Sequence, residues 1–393
     1  MLTQIIRRRR RLLLVFGVIA LLVPAIMARI MASGAPSAST EPVAVQATQP
    51  GSKPTPTASS TTLTTPPATT SVTIAFVGVG QGDAIIVSTS DGHSMLIDGG
   101  PPESSEKLLS ALELLGIDHL DVLVSTHPHS DHIGGLLAVL DKVPRIRIDQ
   151  VLDSGKVHTS NTYEAYLQKI LDRGIAFKIA RAGSEFQLGP ATIAVLWPET
   201  PLWDDLNDAS VVLRLSYGGF SALFTGDISA RVESVLVHAR SLPQATVLKV
   251  AHHGSGGSTS PDLLKQVQPK LAVISVGKNS FGHPAVHVVD RLVALGCVVG
   301  RTDDGDGWTV VTDGEVWSAY PGLPGAVLRQ GGMGLTVCPD PLHRFIGNRN
   351  TMVVHRASCP SVAKMNPANE APFNDLQEAL DMGYRPCEIC NPR

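Results

Sequence analysis

The sequence predicts an α/β fold in which two packed β-sheets are flanked by helices. Two apolar runs, at residues 72–77 and 85–89, open the folded part and predict a pair of strands joined by a glycine-rich turn. Apolar segments of strand length and of helix length then alternate along the chain. Paired strands followed by strand–helix units are typical of two sheets that pack together and carry helices on their outer faces.

The first 32 residues predict a signal peptide or a membrane anchor. Five arginines at 7–11 precede an uncharged apolar run at 12–28. Because such arginines stay in the cytoplasm, everything after the run is expected to be extracytoplasmic. The run is intermediate in length between a signal-peptide core and a membrane span. Residues 12–31 therefore predict either a retained anchor or a signal that is cleaved to give a secreted protein.

A Ser/Thr/Pro-rich stretch at residues 33–71 follows, with one acidic and one basic side chain. Such a composition buries too little apolar area to offset the entropy of ordering. We expect a disordered stalk that ends where the folded part begins.

The main folded domain is predicted at residues 72–320, and a Gly/Pro-rich linker follows at 321–342. The glycine-rich turn at 78–84 lacks the Gly-Lys-Ser/Thr signature and precedes a strand, which argues against a phosphate-cradling loop. The further elements predicted inside the domain are strands at 94–97, 122–125, 175–180, 191–196, 210–215, 220–224, 246–250 and 273–276, and helices at 107–115, 133–140 and 163–172.

Four potential metal ligands lie within six residues, directly after the predicted strand at 122–125. They are His127, His129, Asp131 and His132. Neutral imidazoles and carboxylates suit Zn²⁺, Mn²⁺ or iron. This density of ligand side chains after a buried strand predicts a metal centre.

The second half of the domain offers further ligands at strand ends. Asp227 follows the predicted strand at 220–224, the pair His252 and His253 follows 246–250, and His283 follows 273–276. Each could be structural alone, but their recurrence beside the histidine-rich stretch favours one site. Asp83 is expected to face the metals or brace a ligand, and Asp98 to orient a ligand histidine.

Residues 72 to about 320 resemble the metallo-β-lactamase superfamily, specifically the hydrolase domain of ComEC-type DNA-uptake proteins. The resemblance rests on seven ordered motifs, at 77–84, 96–100, 126–135, 207–215, 224–227, 248–255 and 281–284. It implies an αββα sandwich with a two-metal site. It also implies these ligands: His127 and His129 on one metal, Asp131, His132 and His253 on the other, and Asp227 bridging.

One position departs from the common pattern of that superfamily. Many members carry a further ligand histidine before the bridging acid, whereas here the chain has Asn207-Asp208-Ala209-Ser210. The ComEC-like branch and related phosphorylcholine esterases share that absence. The resemblance implies that His252 and His283 face the substrate and, with Asp131, are catalytic. Asn207, Ser255 and Asn279 are predicted to contact the substrate.

Residues 343–393 predict a second, zinc-stabilised α+β module. His355, Cys359, Cys387 and Cys390 form a closed Cys₃His set, and about 50 residues are too few for an unaided core. A disulfide from Cys359 to one of the late cysteines is the alternative in an exported protein, but it would leave one thiol and the histidine unused. The segment resembles the zinc-binding domain of Ada-type DNA-repair proteins, with His355 in place of one cysteine.

Charge limits the predicted partners. The net charge is −3, and the five arginines at 7–11 lie outside the folded part. The composition therefore indicates no basic surface for binding nucleic acid. The resemblance implies an exported phosphodiesterase, a nuclease for extracellular DNA that uses two divalent metals, Zn or Mn. The alternatives are a hydrolase of a cell-wall or lipid phosphoester such as phosphorylcholine, and a non-catalytic surface DNA-binding protein.

Overall fold

The computed structural model describes residues 70–142, 144–324, 345–356, 359, 361–362, 364–366, 369–373, 376–388 and 390. The predicted anchor and almost all of the predicted stalk lie outside the described residues, as does most of the predicted linker. Within the described part of the chain, no helix is long and apolar enough to cross a membrane.

Two β-sheets form the main domain. The first has eight strands in the order β15-β14-β1-β2-β3-β4-β5-β6. Its strands are β1 Val72–Val77, β2 Ile85–Thr89, β3 Ser94–Ile97, β4 His119–Ser125, β5 Arg147–Asp153, β6 Ala176–Ile179, β14 Gly307–Thr312 and β15 Trp317–Pro321. The second has seven strands in the order β13-β12-β11-β10-β9-β8-β7. Its strands are β7 Glu185–Leu188, β8 Ala191–Trp197, β9 Val212–Tyr217, β10 Phe220–Phe224, β11 Val247–Lys249, β12 Leu271–Ile274 and β13 Val298–Arg301.

Three apolar layers hold these sheets and their helices together. The middle layer contains inward side chains of both sheets, and the Phe76 and Phe224 rings meet there at 6.4 Å. The outer layers lie between each sheet and its helices. The helices are Ser105–Leu114, Ser130–Ile133, Leu136–Asp141 and Asn161–Asp172 on the first sheet, and Ala230–His238, Pro261–Val267 and Val286–Ala294 on the second. The predicted αββα sandwich is confirmed.

One predicted helix is wrong in its extent. The segment 133–140 is two short helices, Ser130–Ile133 and Leu136–Asp141, separated at Gly134 and Gly135. A Cβ atom on Gly135 would lie 2.0 Å from the carbonyl oxygen of Gly99. The break therefore lets this segment contact the backbone that follows β3, which carries Asp98.

The C-terminal part forms a small four-stranded sheet in the order β18-β16-β17-β19. Its elements are β16 Phe345–Asn348, β17 Val353–Arg356, β18 Glu370–Phe373, β19 Arg385–Pro386 and the helix Leu376–Asp381. Among the residues of this module that the structure describes, five buried side chains form an apolar cluster: Val354, Ala371, Phe373, Ala379 and Tyr384. So small a core fits the expectation that this module needs a further source of stability.

Candidate functional site

Parallel strands of both sheets direct their carboxyl ends to one place. In the first sheet β3, β4, β5 and β6 are parallel, and in the second β10, β11, β12 and β13 are parallel. Open α/β sheets form their sites beyond such strand ends. The residues that follow these ends include Asp98 after β3, His127 after β4, Asp227 after β10 and His253 after β11.

These residues, with Asp131 and His132 from the short helix after β4, converge on one buried cluster. Nε2 of His132 and Nε2 of His253 lie 3.2 and 3.1 Å from Oδ2 of Asp227. Oδ2 of Asp131 lies 3.5 Å from Nε2 of His253. Nε2 of His127 lies 2.9 Å from Nδ1 of His129. All six predicted hydrolase ligands therefore meet, although their assignment to two separate metals remains a prediction.

The outer ring nitrogens of three histidines are held by neighbouring groups. Nδ1 of His132 lies 2.8 Å from Oδ2 of Asp98, and Nδ1 of His253 lies 2.9 Å from the carbonyl oxygen of Ser275. Nδ1 of His127 lies 3.1 Å from the hydroxyl of Thr126. These contacts fix each ring so that Nε2 points into the cluster, which is the usual arrangement of a metal-binding histidine.

Ligand-atom spacing makes the cluster suitable for metal ions. Within the set His127, His132 and Asp227, and within the set Asp131, His132 and His253, the ligand atoms lie within 4.8 Å of one another. Nε2 of His253 is buried and lies between two carboxylates, 3.1 Å from Oδ2 of Asp227 and 3.5 Å from Oδ2 of Asp131. A buried set of imidazole nitrogens and carboxylate oxygens at these separations fits a divalent cation.

The electrostatics of the cluster follow from burial and mutual contact. Burial lowers the pKa of His127 well below its ordinary value and also lowers that of His129. Burial works against the charge on Asp131, yet His132 and His253 hold its pKa below the ordinary range. Asp131 can thus bind a cation without first losing a proton. Burial opposes a charge on His132 and His253, yet the neighbouring carboxylates raise the pKa of both, so these two imidazoles release a proton when a cation binds.

His252 and His283 lie outward of the ligands. Nε2 of His252 is 3.9 Å from Oδ2 of Asp227, and its side chain is 29% exposed. The rings of His252 and His283 are 5.5 Å apart. Backbone φ angles of 50° and 54° at His252 and His253 place this histidine pair in the left-handed region, which is uncommon for residues other than glycine. This turn directs the imidazole of His253 into the cluster and leaves that of His252 towards solvent.

The three predicted substrate contacts have different environments. Asn207 interacts with the side chain of His129 and so lies at the cluster. The hydroxyl of Ser255 accepts a hydrogen bond from the amide of Gly257 at 3.3 Å. Both amide atoms of Asn279 are engaged within their own loop. Its side chain therefore braces the loop instead of being available to a substrate.

Two residues of the site were not predicted from the sequence. Lys249 is buried, forms an ion pair with Asp83, and donates to the carbonyl oxygen of Gly226 at 2.9 Å. The ring of His158 lies 6.4 Å from that of His129. The sequence signal that could have identified Lys249 is the presence of a lysine inside the apolar run 246–250. His158 follows β5, a strand that was itself not predicted.

The C-terminal module contains a second cluster. His355, Cys359, Cys387 and Cys390 place their ligand atoms within 4.8 Å of one another. Three of the four side chains are buried, and Nδ1 of His355 is buried with no hydrogen-bond partner among the described residues. The predicted Cys₃His set is thus brought together, and its chemistry fits a closed tetrahedral zinc site.

Comparison with known families gives two matches. The model described as Metallo-beta-lactamase superfamily matches residues 77–278. The model described as Metal binding domain of Ada matches residues 343–393. Together they cover both of the clusters described above.

Three relatives are similar to the main domain. ComE operon protein 3 of Bacillus subtilis (strain 168) is 34% identical over 248 residues, which are 58% of this chain and 31% of that protein. Competence protein ComA of Neisseria gonorrhoeae is 31% identical over 229 residues, 57% of this chain and 30% of that protein. Recombination protein 2 of Haemophilus influenzae is 31% identical over 220 residues, which are 54% of this chain and 25% of that protein. The matched part thus spans about a third or less of the length of each relative.

Proposed function

Since this chain belongs to the metallo-β-lactamase superfamily, we propose that its histidine–aspartate cluster is a two-metal site that hydrolyses phosphodiesters, with extracellular DNA as the substrate. One observation carries the proposal. Three buried imidazoles have their Nδ1 atoms engaged by Asp98, Thr126 and Ser275, and direct their Nε2 atoms inward. The carboxylates of Asp131 and Asp227 lie among them.

The residues present would hold two divalent cations, Zn or Mn. We assign His127 and His129 to one and Asp131, His132 and His253 to the other, with Asp227 shared by both. Bound cations in such a pair lower the pKa of water towards neutrality and neutralise the phosphoryl oxygens. A Zn²⁺ in the C-terminal cluster would have all four positions filled by protein and serve structure alone.

The chain's own side chains would then orient the ligand histidines and protonate the leaving oxygen of the substrate. Asp98 and the carbonyl of Ser275 keep His132 and His253 from rotating. We assign to His252, which lies beside Asp227 and is partly open to solvent, the transfer of a proton to the leaving oxygen of the phosphodiester. The ring of His283 lies 5.5 Å from that of His252, and we assign it to the substrate side of the site as well.

The choice of DNA rests on the names of the relatives, and charge indicates how the phosphate would be bound. One of the relatives is a competence protein by name, another is named ComE operon protein 3, and the third is a recombination protein. The chain carries a net charge of −3 and so offers little general attraction for a polyanion. Binding of the phosphate would therefore depend on the cations of the site.

An extracytoplasmic location is part of the proposal and rests on the arginines at 7–11 and the apolar run after them. In that orientation the Ser/Thr/Pro-rich stretch at 33–71 lies outside the cell. Protease added to intact cells should cut there and release or shorten the protein. Full protection, with the same protease cutting the stretch in lysed cells, would exclude export.

The activity itself is tested with the purified protein. Metal-loaded protein should cleave single- or double-stranded DNA and bis(p-nitrophenyl) phosphate, and Asp227→Ala should abolish both activities. Hydrolysis of phosphorylcholine esters without cleavage of DNA would favour the alternative substrate. DNA binding that Asp227→Ala leaves unchanged, with no hydrolysis of any ester, would identify a binding protein.

A further inference from the structure

An exposed aromatic side chain lies at the outer margin of the histidine cluster. Phe281 is 72% exposed, in the loop between β12 and the helix Val286–Ala294. The motif at 281–284 includes this residue, but the proposed chemistry gives its ring no role. A single exposed apolar residue is ordinary on a protein surface, so its meaning depends on what surrounds it.

The loop that carries Phe281 is firmly held. The amide nitrogen of Asn279 donates to the carbonyl oxygens of Gly277 and His283 at 2.9 and 2.8 Å. Its side-chain oxygen accepts from the backbone amides of Phe281 and His283 at 3.0 and 3.1 Å. One side chain thus makes four bonds that fix the positions of Phe281 and His283 together. The ring is presented on a preorganised loop, which reduces the entropy lost when it binds a partner.

A series of rings joins Phe281 to the cluster. The ring centroids of His253 and His252 are 6.0 Å apart, those of His252 and His283 5.5 Å, and those of His283 and Phe281 5.7 Å. The last two rings are inclined by 33°. The series begins at a predicted metal ligand and ends at an aromatic face open to solvent.

We propose that Phe281 stacks on a nucleobase next to the phosphodiester held at the cluster, which makes single-stranded nucleic acid the preferred substrate. This inference rests on the proposed function and narrows its substrate class. Aromatic faces bind the bases of single strands irrespective of sequence, because every base offers a π-face. A paired base in an intact duplex has both faces covered. Lys278, exposed in the same loop, adds a positive charge for a neighbouring phosphate.

The test compares two oligonucleotides with the full-length, metal-loaded protein. One carries normal bases, and the other carries abasic sites on both sides of a single cleavable linkage. Phe281→Ala should lower kcat/KM on the abasic strand at most slightly through the loop, and the decrease on the base-bearing strand should be about 5- to 100-fold larger than the decrease on the abasic strand. Phe281→Trp should restore the preference for bases. Val286→Ala is the matched control, because Val286 is 75% exposed and begins the helix after this loop.

A binding measurement separates this inference from the proposed function. A phosphorothioate single strand, which resists hydrolysis, is titrated into wild type, Phe281→Ala and Val286→Ala, and fluorescence anisotropy gives Kd. Weaker binding by Phe281→Ala alone supports the stacking role, even if wild type cleaves no phosphodiester and the proposed function fails. Equal Kd values for wild type and Phe281→Ala would overturn the inference, even if the protein is an active nuclease. An equal loss of activity on base-bearing and abasic strands would overturn it too.

Discussion

Oδ1 of Asp227 lies 3.4 Å from Nζ of Lys249, whereas Oδ2 of the same carboxylate lies among the imidazoles of His132 and His253. Burial alone would lower the pKa of Lys249, but Asp83 and Asp227 raise it above its ordinary value, so the ammonium stays charged. Because Lys249 holds one oxygen of Asp227, the other is the one presented to the cluster. The lysine therefore sets the orientation of the Asp227 carboxylate.

Replacing this lysine should destabilise the protein and disturb the metal site. Lys249→Met leaves Asp83 buried without its partner, and breaking a buried ion pair from one side costs about 3–5 kcal/mol. We expect the free energy of unfolding to fall by that order in denaturant titrations. The metal content of the purified variant should also fall, because Asp227 loses the contact that orients it.

The double variant Lys249→Met/Asp83→Asn separates these two effects. It removes both charges, so much of the stability should return while the metal content stays low. If Lys249→Met unfolds at the same denaturant concentration as wild type, the lysine does not compensate the buried acid.

Asp98 should control metal affinity through His132. Oδ2 of Asp98 accepts a hydrogen bond from the Thr126 hydroxyl at 2.6 Å and lies 2.8 Å from Nδ1 of His132. Oδ1 of Asp98 accepts a hydrogen bond from the backbone amide of Thr126 at 2.8 Å. Loss of such a supporting carboxylate lowers metal affinity about 10- to 100-fold. Asp98→Asn should show this in competition with a chromophoric chelator.

Asp121→Asn provides the matched control. Asp121 lies in β4, the neighbour of β3, and contacts a histidine in the same way, with its Oδ1 3.0 Å from Nδ1 of His93. That pair is partly exposed and includes none of the proposed ligands. Equal metal affinities for both variants and wild type would show that Asp98 does not support the site.

The sequence indicated which side chains meet in the cluster because their signals are local. His127, Asp227 and His253 each follow a short apolar run within three residues, and glycines mark the turn nearby. Parallel strand order then brings those turns together, which is why residues far apart in the chain could be assigned to one site. Asp98 was likewise expected to orient a histidine, and it contacts His132.

Lys249 and His158 could not be found in that way. The position of Lys249 within an apolar run is a local anomaly, but its partner Asp83 is distant in sequence and only the fold brings them together. His158 follows β5, whose first half alternates exposed and buried residues and carries Arg147 and Asp149. Charged residues at the start of that strand concealed its apolar end. Asn279 was predicted to contact substrate, and only the hydrogen-bond geometry showed that its amide braces the loop.

Asp153 should make stability depend on pH. It is buried at the end of β5, accepts from the Gly155 amide at 2.7 Å and contacts the Tyr166 hydroxyl at 3.3 Å. Burial raises its pKa from 3.8 to about 6. The folded state therefore binds this proton more tightly than the unfolded chain does. The resulting stabilisation is present below pH 4 and is lost as the pH rises to about 6, by about 3 kcal/mol in all.

Asp153→Asn removes that titration while keeping the shape of the side chain. Relative to wild type, the variant should gain in free energy of unfolding as the pH rises from 4 to 6, and the difference should level off above that. Chemical denaturation at several pH values measures it, and the wild-type-minus-variant difference cancels the other titrating groups. A difference that does not change between pH 4 and pH 8 would show that Asp153 titrates normally.

The C-terminal cluster should hold one metal independently of the hydrolase site. Cys359→Ser should lower the metal content of the purified protein by about one ion per chain, whereas Asp227→Ala should lower it without affecting the C-terminal ion. Because the apolar cluster of the module is small, metal binding and folding should be one event, and Cys359→Ser should make residues 343–393 sensitive to protease.

The same variant should leave the hydrolase activity unchanged. A metal in the C-terminal cluster would have its coordination sphere filled by protein and leave no place for substrate, so turnover of bis(p-nitrophenyl) phosphate should be unchanged. The KM on long DNA should rise if the module contacts nucleic acid. Loss of turnover on the small substrate, with the hydrolase metals retained, would instead make this module part of the active site.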